Sequence, residues 1–399
     1  MALLITIILI FIGAAAVSAY LYWYAFRYEP VNFQLSEVEI YIRNKAEKTE
    51  KQGSILQNKM DCRNEEDYPA GFKSEKIIRK PFLEILHLSD FHLRKDWKGS
   101  RLFNFIRSLK SLNPDLIFIT GDLVEKNENF SYLVEMLEVL EASAGKYAVL
   151  GVHDYFNKTP AEFFKNMLKR KKEYKRENDI AGLILKLNST GIKVLRNEMI
   201  FHKFGDLKVV ISGLEDSIIR KTDIEAAFAR SYKSGDKRGK SIPYSGQDLE
   251  FYPVSGFKTG LNSDFATDLD ANDLNFKYGR NKFVYREVFK TDPANIHTLN
   301  DENRLLICLT HTPDMDLFVD LVKKKTDIIL CGHTHGGQVR LPLVGALLAG
   351  CNMKVRYCSG LFYFNKFILY TTRGLGEGRY SPFRFYCSPE ASLIKIYMQ

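Results

Sequence analysis

Short apolar runs recur along the chain, and each is followed at once by a polar turn. The runs at 82–88, 116–120 and 147–150 are rich in Leu, Ile, Val and Phe, and they predict buried strands. Between them, apolar residues recur at helical spacing over 102–109 and 133–140. This alternation of strand, turn and helix predicts an α/β fold whose functional loops follow the carboxyl ends of its strands.

The second half of the chain continues the pattern. Further strands are predicted at 207–213, 305–310, 327–330, 367–371 and 391–397. Residues 341–348 are unusually apolar for a loop, and two interpretations remain open for them. They either pack inside the protein or form an apolar rim beside a functional site, suited to an acyl chain or a bilayer surface.

The chain begins with a long apolar segment. No charged residue occurs from Ala2 to Phe26, and this run exceeds the roughly 20 residues that a helix needs to cross a bilayer. Tyr20, Trp23 and their aromatic neighbours suit the membrane interface. A buried core helix and a signal peptide cleaved near Ala19 are alternatives. The absence of a basic segment before the apolar run favours an uncleaved, single-pass anchor over 1–28.

The rest of the chain divides into a linker and one large domain. We expect residues 29–80 to form a membrane-proximal linker with one strand at 38–42, and residues 81–399 to form the main domain. Two insertions are predicted, at about 157–187 and 216–303. The second lacks periodicity and is too long for an ordinary loop, so we expect a partly mobile excursion.

The first insertion is strongly basic. Its cationic side chains are either a solvated face or a contact surface for anionic lipid head groups near the anchor. These residues are Lys165, Lys169, Arg170, Lys171, Lys172, Lys175 and Arg176.

Overall charge and cysteine content narrow the class of protein only slightly. The formal charge is +9, but 57 basic residues are balanced by 48 acidic ones, so nucleic acid is not implied as a partner. The six cysteines could form disulfides. However, Cys308 and Cys331 lie inside apolar strand-like runs, which favours buried free thiols and a reducing compartment.

The polar turns at the strand ends share one chemistry. By itself His333-Thr334-His335 could be ordinary polar surface, but five of the eight histidines belong to such turns. Mixed carboxylates and imidazoles suit Mn²⁺, Fe²⁺ or Zn²⁺. A carboxylate between two groups of imidazoles can bridge two ions about 3.5–4 Å apart, which activate water and clamp phosphoryl oxygens. The candidate residues are Asp90, His92, Asp122, His153, Asp154, His311, His333 and His335.

These turns resemble the motifs of the calcineurin-like metallophosphoesterases, and they come in the same order along the chain. The motifs are Asp90-Phe91-His92, Gly121-Asp122, Gly151-Val152-His153-Asp154, His311 and Gly332-His333-Thr334-His335. The resemblance covers roughly residues 82–397 outside the insertions. It implies a four-layer α/β/β/α sandwich.

The resemblance also implies a role for each residue. The first metal ion would be held by Asp90, His92 and His335, and the second by His311 and His333, with Asp122 bridging the two. His153 would donate a proton to the leaving oxygen or hold the phosphate, oriented by Asp154. Mn²⁺ is the favoured metal, with iron and zinc as alternatives.

Val152 departs from the family pattern, which has an asparagine ligand at this position. Because a valine side chain has no lone pair, we expect weaker binding of the second ion. A non-catalytic, metal-binding membrane scaffold is the alternative that this change raises.

Further motifs are similar to those of membrane-anchored bacterial members that split UDP-2,3-diacylglucosamine into a lipid monophosphate and UMP in lipid A biosynthesis. They are Glu29-Pro30, Leu88-Ser89-Asp90-Phe91-His92, Gly336-Gly337-Gln338-Val339-Arg340-Leu341-Pro342, Thr372-Arg373-Gly374-Leu375-Gly376 and Cys387-Ser388-Pro389-Glu390. The resemblance implies a metal-dependent hydrolase of a nucleotide-linked lipid, on the cytoplasmic side of the inner membrane. The alternative enzyme is an exported envelope phosphomonoesterase.

Overall fold

A computed structural model describes residues 1–44, 80–157, 162, 176–229, 285–289, 296–301, 304–378 and 381–399. The α-helices are α1 (Ala2–Trp23), α2 (Trp97–Ser108), α3 (Phe130–Leu137), α4 (Val152–Tyr155), α5 (Ile180–Ser189), α6 (Ile224–Ala229) and α7 (Met315–Lys323). The strands are β1 (Gln34–Arg43), β2 (Leu83–Leu88), β3 (Leu116–Thr120), β4 (Gly145–Val149), β5 (Phe156–Asn157), β6 (Arg176–Glu177), β7 (Ile192–Val194), β8 (Glu198–Phe204), β9 (Leu207–Gly213), β10 (Tyr285–Phe289), β11 (His297–Thr298), β12 (Arg304–Leu309), β13 (Ile328–Cys331), β14 (Arg340–Leu341), β15 (Gly345–Ala346), β16 (Gly360–Tyr363), β17 (Ile368–Thr371) and β18 (Glu390–Met398).

Two large sheets form the centre of the main domain. The first has the strand order β10-β1-β18-β2-β3-β4-β7, with β11 paired to β1, and the second has the order β16-β17-β13-β12-β9-β8. Strands β2, β3, β4 and β7 are parallel, as are β9, β12, β13 and β17. Every strand predicted from an apolar run is confirmed, with ends within a few residues of those expected.

Three buried clusters separate the layers. One lies between the first sheet and α2, α3 and α5, and a second fills the space between the two sheets. The third lies between the second sheet and α6 and α7. The order is therefore helix, sheet, sheet, helix, and the predicted four-layer sandwich is confirmed.

The first sheet begins earlier in the chain than expected. We placed residues 29–80 in a linker with one strand at 38–42, but β1 pairs in parallel with β18 from Gln34 to Ile42. Val38 and Ile40 are fully buried against the second sheet, while Glu37, just before Val38, forms a buried ion pair with Lys395. Polar and charged residues alternate with apolar ones in this strand, so its sequence has the composition expected of a polar linker.

Both predicted insertions contribute to the layers. In the first, Leu183 and Leu187 of α5 are buried against the first sheet, and in the second, α6 packs in the outer helical layer. Strand β10, also in the second insertion, lies at the edge of the first sheet. Residues 163–175, with nearly all of the basic side chains of the first insertion, lie outside the described residues, as do residues 230–284.

The N-terminal helix is long and apolar enough to cross a membrane. The candidate span is Leu3–Val31, and an 18-residue stretch of it has a mean hydropathy of 2.5, with none of that stretch buried by the rest of the protein. At its end, the ring of Phe26 stacks on Phe383 with centroids 5.0 Å apart, and the Ala25 carbonyl accepts a hydrogen bond from the Arg384 N–H at 3.0 Å. The end of α1 is therefore attached to the main domain.

Candidate metal centre

The polar turns of the two sheets meet at one place. Those that follow β2, β3 and β4 come from the first sheet, and those that follow β12 and β13 come from the second. The carboxyl ends of parallel strands lie at the same edge of a sheet. The two sheets pack face to face, and the loops at these edges meet at one end of the sandwich. The structure thus brings together Asp90, His92, Asp122, His153, His311, His333 and His335.

Five of these residues have left-handed backbone conformations, which non-glycine residues rarely adopt. Each such residue costs about 1–3 kcal/mol and persists only where its surroundings enforce it. They are Asp90 (φ 53°), His92 (41°), Asp122 (53°), His333 (68°) and His335 (50°). The fold therefore holds strained turns at this centre, which turn the side chains of neighbouring residues into one crevice.

Asp90, His92 and His335 form the first ligand group. Their ligand atoms all lie within 4.8 Å of one another. The Nε2 atoms of His92 and His335 are 3.1 Å apart, and Oδ1 of Asp90 lies 3.7 Å from Nε2 of His335. Both carboxylate oxygens of Asp90 also accept from the backbone N–H of His333, at 2.9 and 3.0 Å, which joins the loops of the two sheets.

Asp122, His311 and His333 form the second ligand group, again with ligand atoms within 4.8 Å of one another. Oδ2 of Asp122 lies 3.1 Å from Nε2 of His311, and the same Nε2 lies 3.2 Å from Nδ1 of His333. The donor set of one carboxylate and two imidazoles suits a borderline divalent cation.

Asp122 lies between the two groups. Its Oδ2 is 3.6 Å from Nε2 of His92 in the first group and 3.1 Å from Nε2 of His311 in the second. Burial alone would raise the pKa of the Asp122 carboxyl, but the nearby imidazoles of His311, His153 and His92 hold that pKa well below its ordinary value. An ionised carboxylate in this position has the geometry to bridge two cations.

Backbone carbonyls outside the centre fix the orientation of two imidazoles. Nδ1 of His311 donates to the Thr120 carbonyl at 2.6 Å, and Nδ1 of His335 donates to the Gly376 carbonyl at 3.1 Å. Each ring therefore turns a lone pair on Nε2 towards the centre, as metal-binding histidines do. Burial and the neighbouring cationic groups His92 and Arg384 lower the pKa of His335, which favours the neutral form that binds metal.

Glu125 is a residue that the sequence prediction missed. It is only 5% exposed, and its Oε1 lies 3.2 Å from Nδ1 of His92, so it completes a carboxylate–histidine pair behind the first ligand group. Potential ligand atoms of Glu125, His153 and His92 also lie within 4.8 Å of one another. The feature of the sequence that could have identified Glu125 is its position, three residues after Asp122 in the same strand-end turn.

Arg384 is a second missed residue. Its guanidinium is fully buried and donates to the backbone carbonyls of Arg373 at 2.9 Å and Gly374 at 3.2 Å. The Gly376 N–H of this loop in turn donates to the Asp90 carbonyl at 2.6 Å. Arg384 therefore braces the loop that supports Asp90, and its own backbone is bonded to the end of α1.

The structure places His153 beside the first ligand group. Its ring centroid is 4.9 Å from that of His92, its side chain is partly exposed, and its backbone N–H donates to Oδ1 of Asp122 at 2.9 Å. A partly exposed imidazole next to the centre can reach a molecule bound there.

Asp154 contacts other groups than expected. We expected it to orient His153, but its Oδ1 accepts from the backbone N–H groups of Leu123 and Val124 at 2.8 and 3.1 Å. Its Oδ2 accepts from the Gly151 N–H at 2.9 Å. The buried carboxylate therefore holds the loops after β3 and β4 together, because their unpaired N–H groups converge on it.

Val152 begins α4 and is buried, with 5% exposure. Its side chain carries no lone pair, so it adds no ligand atom to the second group. The donor sets of both groups nevertheless fit divalent cations, because three ligands of the required types converge in each.

Comparisons with known proteins agree with this arrangement. A family model described as calcineurin-like phosphoesterase matches residues 83–337. The phosphodiesterase YaeI of Escherichia coli is 38% identical over 98 residues, which make up 24% of this chain and 34% of that protein.

A longer alignment joins the chain to the UDP-2,3-diacylglucosamine pyrophosphatase LpxG of Chlamydia muridarum. The two are 26% identical over 323 residues, which cover 78% of this chain and 83% of that protein. Among solved structures, a phosphopantetheinyl hydrolase from Mycobacterium tuberculosis aligns with 75% of this chain and 94% of its own, at 11% identity. The TM-score of this alignment is 0.33.

Proposed function

The chain belongs to the calcineurin-like phosphoesterase family, and on that premise we propose that it is a membrane-anchored hydrolase of a phosphodiester or pyrophosphate bond. Members of this family are hydrolases that use divalent metal ions. The observation that carries the proposal is the position of Asp122, whose one carboxylate oxygen faces an imidazole of each ligand group, at 3.6 and 3.1 Å.

Each ligand group would hold one ion. Asp90, His92 and His335 would hold the first, His311 and His333 the second, and Asp122 would contact both. Such a pair of ions supplies an activated water and neutralises charge on the phosphoryl oxygens. Mn²⁺ suits this mixture of carboxylates and imidazoles, and Fe²⁺ and Zn²⁺ are alternatives.

His153 would act on the substrate. The partly exposed ring lies beside the first ligand group, so its imidazole can donate a proton to the leaving oxygen of a phosphate bound over the centre. The hydrogen bond from its backbone N–H to Asp122 fixes the backbone of His153 beside the bridging carboxylate.

The proposed substrate is UDP-2,3-diacylglucosamine, cleaved to a lipid monophosphate and UMP. This assignment is supported by the alignment with the pyrophosphatase LpxG along most of both chains. An apolar N-terminal helix suits an enzyme whose substrate carries acyl chains. A UDP-linked substrate requires that the main domain faces the cytoplasm, so we propose an inner-membrane protein with that orientation.

The test uses the full chain in detergent, with Mn²⁺ and UDP-2,3-diacylglucosamine, and measures release of UMP. Activity is expected for the natural chain and for Asp320→Asn, which changes an exposed aspartate of α7. It should fall by at least about 100-fold for Asp122→Asn, because the bridging charge is lost. Equal activity of the natural chain and Asp122→Asn would contradict the mechanism.

A soluble bis-aryl phosphate separates the two parts of the proposal. If the chain hydrolyses this compound with Mn²⁺ but releases no UMP, the hydrolase activity stands and the proposed substrate is wrong. Reporter fusions after Lys80 test the orientation, since an exported main domain would exclude a UDP-linked substrate.

A further inference from the structure

A short hairpin beside the metal centre exposes an apolar surface. Strands β14 and β15 pair antiparallel, Arg340 with Ala346 and Leu341 with Gly345. In residues 340–348, which we call the apolar hairpin, Leu343 is 84% exposed, Leu348 74% and Val344 68%. In the described residues beyond position 28, the other exposed large apolar side chains occur singly along the chain. A contiguous apolar surface of this kind marks an interaction site.

The tip of the hairpin has an unusual residue for its conformation. Leu343 has a φ of 65°, in the left-handed region, where turns ordinarily use glycine or asparagine. A bulky leucine in this conformation is strained. Because its side chain is exposed, no packing inside the protein compensates for that strain. The strain and the exposure together point to an apolar environment around the tip.

The hairpin and the membrane helix pack on the same segment. The N–H of Arg340 donates to the Phe385 carbonyl at 2.9 Å, and the Phe385 N–H donates to the Gln338 carbonyl at 3.0 Å. The ring of Tyr24, at the end of α1, lies 5.7 Å from the ring of Phe385 and 5.7 Å from that of Tyr386. Leu343 is three residues beyond Arg340, which is about 10 Å of extended chain.

Basic side chains lie next to the hairpin. Strand β15 contacts the short helix Val355–Tyr357, where Arg356 is exposed, and Lys354 just before it is exposed as well. An apolar tip with cationic neighbours matches the boundary between acyl chains and anionic head groups.

The hairpin also contacts the metal centre. The backbone at Gly337 approaches Ala346 so closely that a Cβ added there would lie 2.4 Å from the Cβ of Ala346. Nε2 of His333 is 3.4 Å from the Gly350 carbonyl, just after the hairpin. The base of the hairpin is thus close to His333, one of the proposed ligands of the second metal ion.

We propose that the apolar hairpin inserts into the bilayer that α1 spans, and that its partner is a lipid surface with anionic head groups. The metal centre then faces the membrane surface, and it receives amphiphilic phosphate esters from the plane of the bilayer. This inference rests on the proposed anchoring of α1, and it does not depend on which lipid is cleaved.

Quenching of tryptophan fluorescence by brominated acyl chains tests the proposal. The full chain carrying Leu343→Trp is placed in bilayer discs of phosphatidylcholine with a minor share of phosphatidylglycerol. The matched control is Leu185→Trp, which replaces another exposed leucine (70%), on α5. The natural chain, with Trp23 at the end of α1 and Trp97, supplies the background signal in both cases.

The added tryptophan at 343 is expected to emit at shorter wavelength and to be quenched several-fold more than the one at 185. Equal, weak quenching at both positions, with the native signal quenched, would overturn the insertion while leaving the anchor in place. A blue shift at 343 without quenching would mean that protein, such as a second copy of the chain, covers the hairpin, and it would also overturn the proposal. If the native tryptophans are not quenched either, the anchoring itself is wrong.

Discussion

At the level of single residues, three imidazoles of the centre are oriented by a hydrogen bond from Nδ1, the ring nitrogen that faces away from the centre. His311 and His335 use backbone carbonyls for this purpose, whereas His92 uses the buried carboxylate of Glu125. A charged acceptor raises the basicity of the ligand nitrogen more than a neutral one does. The pKa of His92 shows the balance: burial lowers it, but the hydrogen bond to Glu125 and the charge of Asp122 outweigh burial and raise it.

We predict that Glu125→Gln weakens Mn²⁺ binding about 10- to 100-fold, since the change keeps the shape of the acceptor and removes its charge. Titration of hydrolysis with Mn²⁺ measures the effect, and excess Mn²⁺ should restore most of the activity. The control is Glu128→Gln, because Glu128 is an exposed partner of Lys126. A Glu125→Gln protein with the Mn²⁺ dependence of this control would mean that the carboxylate is only structural.

Val152 stands where the resemblance to the family predicts an asparagine ligand. We predict that Val152→Asn increases occupancy of the second ion at limiting Mn²⁺, because the amide oxygen adds a lone pair at the start of α4. Metal content per chain is the direct measurement. Val152→Ala changes the size of the side chain without adding a ligand, and it should not raise occupancy. An equal rise in metal occupancy in both variants would mean that a smaller or different side chain, and not an added ligand, causes the rise.

At the level of elements, the centre depends on how closely the strand-end loops approach one another. Gly332, just after β13, lies so near the loop after β2 that an added Cβ would be 1.9 Å from Oγ of Ser89 and 2.5 Å from Oδ2 of Asp90. A side chain at this position must therefore displace a residue of the first ligand group.

We predict that Gly332→Ala lowers Mn²⁺ binding and hydrolysis by at least about 10-fold, since a displaced carboxylate loses ligand geometry. The secondary structure measured by circular dichroism should change little. For comparison, a Cβ at Gly205 has no atom within 4 Å, so Gly205→Ala reports only the cost of its left-handed backbone, about 1–2 kcal/mol. Unchanged metal binding by Gly332→Ala would contradict the prediction, because it would mean that the loops after β2 and β13 can separate without disturbing the ligands.

Elements were predicted well where the pattern of apolar residues was regular. Strands β2, β3, β12 and β13 are predominantly apolar, as buried parallel strands are, and their ends located the candidate ligands. Strand β1 was predicted only over 38–42, within a linker, because the polar residues Gln34, Ser36 and Glu37 occupy its first half. Its membership of the first sheet depends on a partner, β18, that lies about 350 residues further along the chain.

At the level of the whole molecule, the end of α1 is part of the main domain. Phe33, ten residues beyond α1, is buried in the core, with its ring stacked on Phe105 at a centroid distance of 5.0 Å. Phe26 stacks on Phe383. These contacts remain when the apolar part of the helix is removed.

We predict that deletion of residues 1–23 leaves a folded protein. Its Mn²⁺ content and its hydrolysis of a soluble bis-aryl phosphate should stay within about 2-fold of the natural chain, because the deleted helix buries little surface against the rest. Carbonate-resistant association with membranes should be lost, since the apolar span supplies it. Aggregation or loss of metal in the truncated protein would show that α1 is required for folding.

The sequence by itself determined what depends on local pattern: the apolar N-terminal helix, the strands, the α/β class, and the order of carboxylates and imidazoles at strand ends. Only the tertiary structure decided which groups touch across long separations: Glu125 behind His92, Asp154 on the loop after β3, and the apolar hairpin beside the end of α1. The physical reason is that periodicity is a property of neighbouring residues. Contacts between loops depend instead on backbone conformations, many of them left-handed here, which the packing of the two sheets enforces.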